Sequence, residues 1–271
     1  MNTRLTLSVL ATATLLNGCI VINADAEPTI HSNQNLVLNT DGIKTLEIEA
    51  GAGFLNIEGK AGAKEISLGA DIWSQGEDTY TLTLERKGDT AILVAKNHSA
   101  MNFSWSNNSP QINVTLSLPD HLMLNINDGS GDITLENHKA KTHIQDGSGS
   151  IKVSDLKADL VMSDGSGPIW VRNLEGALEL EDGSGGIQLD QISKSVNIDD
   201  GSGEILARHL GADITIEDNS GSITIEDAKG VVTIDDGSGS IYIDGAAGFN
   251  LIDDGSGQVK VANVEGKVNM Q

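Results

Sequence analysis

The sequence predicts an all-β fold, a flattened right-handed parallel β-solenoid of two sheets with 18 residues per coil, entered through an irregular β cap. Three observations lead there. The tetrapeptide Asp-Gly-Ser-Gly begins at Asp128 and starts again, once as Asp-Asn-Ser-Gly, at Asp146, Asp164, Asp182, Asp200, Asp218, Asp236 and Asp254, always 18 residues on. A fixed period near 20 marks a stack of coils, each burying its apolar side against the next. Aromatic residues make up 3% of the chain and glycine occurs 31 times, a composition suited to short strands and tight turns rather than a broad globular core.

The chain opens on Arg4 and an apolar run from Leu5 to Leu16, in the manner of a targeting segment. Twelve residues are too few to cross a bilayer as a helix. Leu16-Asn17-Gly18-Cys19 resembles the bacterial lipoprotein box, which implies cleavage before Cys19, a diacylglycerol on its sulfur and an acylated amino terminus. In an ordinary secretory signal Cys19 would instead be an unpaired exported thiol. Ile20 in place of an acidic residue implies sorting to the outer membrane, so the chain is expected to be lipid-anchored there. Residues 20–35 then form a polar tether.

Residues 36–127 read as a β cap with one early coil. Alternation of apolar and polar residues marks strands at Leu46-Glu47-Ile48, Phe54 to Ile57, Tyr80 to Leu84, Ala91 to Val94 and Ile112 to Leu118. The stretch LEIEAGAGFLNIEG from Leu46 parallels LNINDGSGDITLEN from Leu124, an offset of 78 residues that is no multiple of 18, so a segment is inserted. Leu82 to Val94, turning at Arg86-Lys87-Gly88-Asp89, predicts a hairpin, and Ser99 to Pro110 a polar loop carrying Phe103 and Trp105.

Residues 128–271 hold eight coils. Numbered from its Asp, each coil is apolar at positions six (Ile133, Ile151, Ile169 through Val259), eight, fifteen and seventeen (Ile144, Met162 through Ile252 and Met270), which predicts two strands per coil with one face inward. Position ten is Asn, Asp, Gln, His or Gly and echoes position one, so the two halves of a coil read as equivalent half-turns. The six-residue recurrence of a three-sided helix is missing. Connections between parallel strands favour the right-handed sense. In the turn, Asp is expected to accept hydrogen bonds from amides two residues on, and Asn219 at position two suggests positive φ there.

A net charge of −22 disfavours nucleic acid as a partner and favours cations or basic surfaces. The turn aspartates, with Glu181, Asp199, Glu217, Asp235 and Asp253 at position eighteen, would line one edge with 13 carboxylates. Calcium is the sharp reading of that edge, by likeness to the nine-residue half-turns of calcium-binding β-rolls. The slot of the roll's ligand Asp holds Ile133, Ile151 and their equivalents, however, so structural turns with loosely held counterions are favoured and no cofactor is assigned. The six histidines lack metal-ligand spacing. Eight copies of the same turn serine make no nucleophile. Arg172 and Arg208, both at position nine, evoke the basic grooves of polysaccharide lyases without their acidic calcium sites, and the chain is read as no enzyme. Trp170, Leu206 and Tyr242 at position seven form an exposed face able to hold a protein or glycan partner. The last coil, ending at Met270-Gln271, leaves an open sheet edge, and a partner, self-association with a second copy, or simple fraying is expected to deal with it.

Leu46 to Ile57, the strand Ile112 to Leu118 followed by Pro119-Asp120-His121-Leu122, and the Gly-x-Ile-x-Val coils resemble the bacterial putative-adhesin family of β-strand-repeat proteins. The resemblance implies an envelope-associated solenoid and lends no catalytic residues. The expected function is a non-enzymatic, lipid-anchored structural or interaction surface, with a calcium- or glycan-binding module as the alternative.

Overall fold

The computed structural model describes residues 30–98 and 110–270. The expected signal segment, Cys19 and the loop with Phe103 and Trp105 lie outside them. All but one short 3-10 turn, Glu77–Thr79, is strand or connection. Nine strands make the first part: β1 (Ile30–Asn39), β2 (Thr45–Ala50), β3 (Leu55–Lys60), β4 (Glu65–Ser74), β5 (Tyr80–Lys87), β6 (Thr90–Asn97), β7 (Gln111–Pro119), β8 (Met123–Asp128) and β9 (Ile133–His138). From β8 onward the chain is a solenoid of about eight turns of about 18 residues.

Two parallel ladders run its length. One begins β6–β2–β8 and continues through Thr142–Asp146, Leu160–Asp164, Leu178–Asp182 and Val196–Asp200. The other begins β7–β3–β9 and continues through Ile151–Leu156, Ile169–Leu174 and Gly185–Ile192. Each partner is displaced by one period, so identical positions stack: Ile151 on Ile133, Ile169 on Ile151. The strands Gly221–Asp236 and Gly239–Asp253 pass through the second bend unbroken and join the ladders.

The early coil at Leu46 is present, formed by β2 and β3. Leu46 stacks on Leu124 and Leu55 on Ile133, as the parallel sequences suggest. On the far side of β2 and β3 lie β6 and β7, which come later in the chain but precede them in the stack. The hairpin β5–β6 turns at Gly88, and its second strand is what enters the solenoid. The chain then crosses the early coil through Asp120 to Leu122, where the Met123 amide donates to the Lys44 carbonyl at 3.0 Å. Antiparallel β4 covers β7 and β1 covers β4, closing that ladder. Residues 30–35 are therefore paired strand, not tether: Ile30 lies opposite Ser74 and Asn35 opposite Gly69. Their polar sequence hid this because β1 is an outer strand with no buried face.

The core is one apolar column per inward position. Positions six, eight, fifteen and seventeen are buried through most of the stack, and a further column at position eleven, Leu156, Leu174, Ile192 and Leu210, joins them. The spacing of three between eight and eleven breaks the strand alternation, and position ten absorbs the break. Asn137, Asp155, Asn173, Gln191, His209, Asp227 and Asn263 all adopt positive φ of 52–61°. Asn219 and its equivalents at position two do not, apart from Gly255 in the displaced last turn at 44°; the first bend takes its positive φ at position four, 134–156° from Gly131 to Gly221, so the residue near 57° belongs to the second bend and the two bends are not equivalent. Asn and Asp tolerate that region better than Gln, which has no short polar group to bond locally. Gln191→Asn is accordingly expected to raise the free energy of unfolding by a few tenths to about 1 kcal/mol, read as a higher urea midpoint; an unchanged or lower midpoint would contradict this.

One coil slips. Past Ala246 the pairing shortens by one residue and is restored between Leu251 and Asp253, so Phe249 and Leu251 face inward and Ile252 is 52% exposed. The expected inward place of Ile252 is thus taken by Leu251. The turn moves with it: the Gly255 amide donates to Asp253, not Asp254. Val259, Val261 and Val264 beyond it are only partly buried, since no further described coil covers them.

Candidate functional site

Two features of the coils hold chemistry, one inside and one outside. The inner one is the aspartate of each turn. Alternation carries through positions fifteen, seventeen and one, so the carboxyl group turns inward with them. Asp128, Asp146, Asp164, Asp182, Asp200, Asp218 and Asp236 are all buried. The expected edge of 13 carboxylates is therefore divided: seven aspartates are inside, while Glu181, Asp199 and Glu217 stay on the surface. Asp254 is half-buried in the displaced last turn.

Each inner carboxylate organises its bend. Oδ1 of Asp182, Asp200, Asp218 and Asp236 accepts the amide of the serine two residues on at 3.1, 3.0, 2.9 and 2.9 Å. Longer bonds of 3.4 and 3.3 Å link Ser148 to Asp146 and Ser166 to Asp164. Asp128 instead accepts from Gly129 at 2.9 Å. The other oxygen, Oδ2, is buried without a hydrogen-bond partner in all seven. Burial raises these acids: Asp146 is pushed up to about 7, with the charges of Asp128 and Asp164 adding to the effect. Asp128, Asp182, Asp200 and Asp218 are pushed to about 6, and Asp164 and Asp236 rise as well. An unpartnered buried oxygen favours the protonated form, whose hydroxyl can donate along the column. Among the described residues no group of three or more His, Cys, Asp or Glu side chains is arranged to hold a metal ion.

Glycine permits the aspartate columns to stack. At position four the backbones of successive coils touch, and a Cβ on Gly167 would lie 1.7 Å from the Gly149 carbonyl oxygen. At position two the spacing is looser, a Cβ on Gly147 lying 2.5 Å from the Gly129 oxygen, and there Asn219 replaces glycine once. Before the displaced last turn, the Gly at position two thus answers close approach rather than positive φ.

The outer feature lies on the ladder that begins with β9. Positions seven and nine point outward and form a groove of about 500 Å³ over five coils. Trp170 and Leu206 line it with Gln188 between them in register. Tyr242 stands two coils beyond Leu206, past Thr224, so the expected three-residue face is a groove at Trp170 and Leu206 plus a separate tyrosine. Lys152 Nζ sits 5.1 Å from the Trp170 ring centroid, and Lys260 Nζ 4.8 Å from that of Tyr242. Position nine adds Arg172, Asp190 and Arg208 on consecutive coils. Arg208 Nε pairs with Glu226 at 2.8 Å, and Asp190 is held by His209 Nδ1 at 2.6 Å. Arg172 is exposed and has no ion-pair partner among the described residues. The two arginines were visible in the sequence as a pair at position nine, but their company with Trp170 required the stacked register.

One buried polar residue escaped the sequence reading. His138 occupies the position-eleven column that Leu156 and Leu174 continue, fully buried, with Nε2 2.8 Å from the Leu122 carbonyl oxygen. Burial lowers its pKa, so the neutral ring donates there and fastens the crossing between β7 and β8. The break in an otherwise apolar column is the signal that could have found it.

A stack of two parallel ladders around an apolar core, with a polar column inside and a variable outer face, defines a two-sheet β-solenoid. The chain belongs to the Toastrack DUF4097 family, whose model matches residues 33–271. Among solved structures it is similar to a "putative lipid binding protein" from Parabacteroides distasonis, at 18% identity and a TM-score of 0.51, covering 88% of this chain and 97% of that one. It also matches a "putative adhesin" from Bacteroides fragilis, at 16% identity, TM-score 0.42 and coverage of 90% and 98%. A "putative cell adhesion protein" from Clostridium sporogenes matches at 12% identity, TM-score 0.33 and coverage of 76% and 100%. No curated protein matches. Among the described residues no helix is long and apolar enough to cross a membrane.

Proposed function

We propose that this protein is a non-enzymatic interaction surface of the bacterial cell envelope, carried on a rigid solenoid and held to the outer membrane through lipid on Cys19. The contrast between the inside and the outside of the coils supports this reading. Inward position six is isoleucine in seven of eight coils, whereas outward position seven reads Thr134, Lys152, Trp170, Gln188, Leu206, Thr224, Tyr242 and Lys260. Six different residue types over eight coils is the pattern of a scaffold presenting a particular face. Solenoids use such extended sides for binding. The names given to the structural neighbours, adhesins and a lipid binding protein, accord with a surface role.

Anchoring is tested by feeding cells a clickable palmitate analogue and fractionating them. The full chain is expected to take up label and sediment with outer membranes, and Cys19→Ala is expected to lose both. A Cys19→Ala protein that still sediments with the outer membrane would overturn the anchor. Protease accessibility on intact cells then separates a surface-exposed body from a periplasmic one.

A further inference from the structure

We propose that the groove between Trp170 and Arg208 binds an acidic oligosaccharide, with a pyranose ring against Trp170 and a uronate carboxylate on Arg172. The proposal rests on the reading of the outer face as an interaction surface and is independent of the anchor at Cys19. Three properties of the groove select this ligand class. Its volume of about 500 Å³ falls in the range of small-ligand clefts. Trp170 is half-buried and supplies a flat apolar plate, held by Lys152 from the preceding coil. Arg172 is a cation without an ion-pair partner among the described residues, one coil from Asp190 in register, while Arg208 and Asp190 are already engaged with Glu226 and His209. A guanidinium fork matches a carboxylate with two parallel hydrogen bonds.

The charges around the plate exclude the alternatives. Glu136 and Asp190 line the same groove, and the whole chain carries −22, so a dense polyanion such as nucleic acid is repelled. A purely neutral sugar would leave Arg172 without its counter-charge. A uronate-bearing oligosaccharide offers apolar ring faces, hydroxyls for Gln188, Asp190 and Glu136, and sparse carboxylates spaced by whole rings. The alternation of cation and acid along position nine suits that mixture.

The test is a titration of the purified protein with a hyaluronan oligosaccharide of defined length, in which uronate and neutral rings alternate, followed by calorimetry and by tryptophan fluorescence. Saturable binding is expected, at least tenfold tighter than to the same oligosaccharide with its carboxyl groups reduced to alcohols. Trp170→Ala and Arg172→Gln are each expected to weaken it about tenfold or more, and Tyr242→Ala to leave it unchanged. Both altered side chains are on the outer face, so unchanged melting temperatures will show that the fold is intact. Equal affinity for the neutral oligomer, or Arg172→Gln binding like the parent, would overturn carboxylate recognition. An absence of saturable binding to either sugar overturns the groove as a saccharide site. Neither result touches palmitate labelling or protease accessibility, which judge the envelope reading separately.

Discussion

Unfolding curves collected from about pH 4 to pH 8 are expected to show a protein most stable at the acid end. The inner aspartates have folded pKa values raised from 3.8 to about 6 or 7, so the folded state holds protons that the unfolded chain releases. Their contribution is fully present below about 3.8, the unfolded value, and is lost as pH rises through the folded values. Each unit of elevation corresponds to about 1.4 kcal/mol. One group moved from 3.8 to about 6 is therefore worth about 3 kcal/mol, and neighbours that share protons titrate as a column rather than singly. Exposed neighbours act in the same sense, since Asp199 adds its charge at Asp200 and Asp235 at Asp236. Asp71, Asp132 and Asp159 act in the opposite sense, because partners lower their pKa, and their contribution fades below about pH 4. The window for the inner column thus lies between about pH 4 and pH 7. A fall in melting temperature of about 5 °C or more across it is expected. Asp200→Asn keeps an oxygen for the Ser202 amide while removing the charge, so it should raise the melting temperature at pH 8 and flatten the slope. A parent protein that gains stability from pH 4 to 7 would contradict the arrangement.

The second large effect concerns the contact between coils at position four. Gly167→Ala is expected to destabilise by more than about 4 kcal/mol, enough to prevent folding of the middle coils. Its Cβ would stand 1.7 Å from the Gly149 oxygen, on a backbone at φ 136°, and the clash is with main chain on which the ladder depends. Relief would require separating two coils and losing the bond from the Gly149 amide to the Ser166 oxygen, 3.1 Å. Gly88→Ala supplies the comparison. That glycine also has positive φ, 68°, but a Cβ there meets nothing within 4 Å. Only the conformational strain of about 1 kcal/mol should appear. Circular dichroism with urea titration measures both. Equal losses at the two sites would show that close approach is not what position four demands.

The body of the solenoid was legible in the sequence because a stack repeats its physics. Every coil meets the same neighbour, so Ile133, Ile151 and Ile169 recur at one position and expose both the period and the inward face. The same arithmetic, extended from fifteen and seventeen to one, would have turned the aspartates inward. An expectation that charge lies at the surface worked against that extension. Likewise the apolar residues at position eleven, with His138 among them, lay three places past position eight and off the strand rhythm. Only the bend at position ten brings them in.

The sequence by itself determined the repeat, the two strands per coil, the apolar columns and the early coil at Leu46 to Ile57. These depend on contacts between equivalent residues at a constant separation, which a pattern in one dimension records. Tertiary structure alone decided the placement of β6 and β7 ahead of β2, the pairing of polar residues 30–35 with β4, the slip that exposes Ile252, and the groove that joins Trp170 to Arg172 and Arg208. Each of these depends on a contact made once. A single pairing between distant segments is fixed by its fit in space, and no repetition announces it.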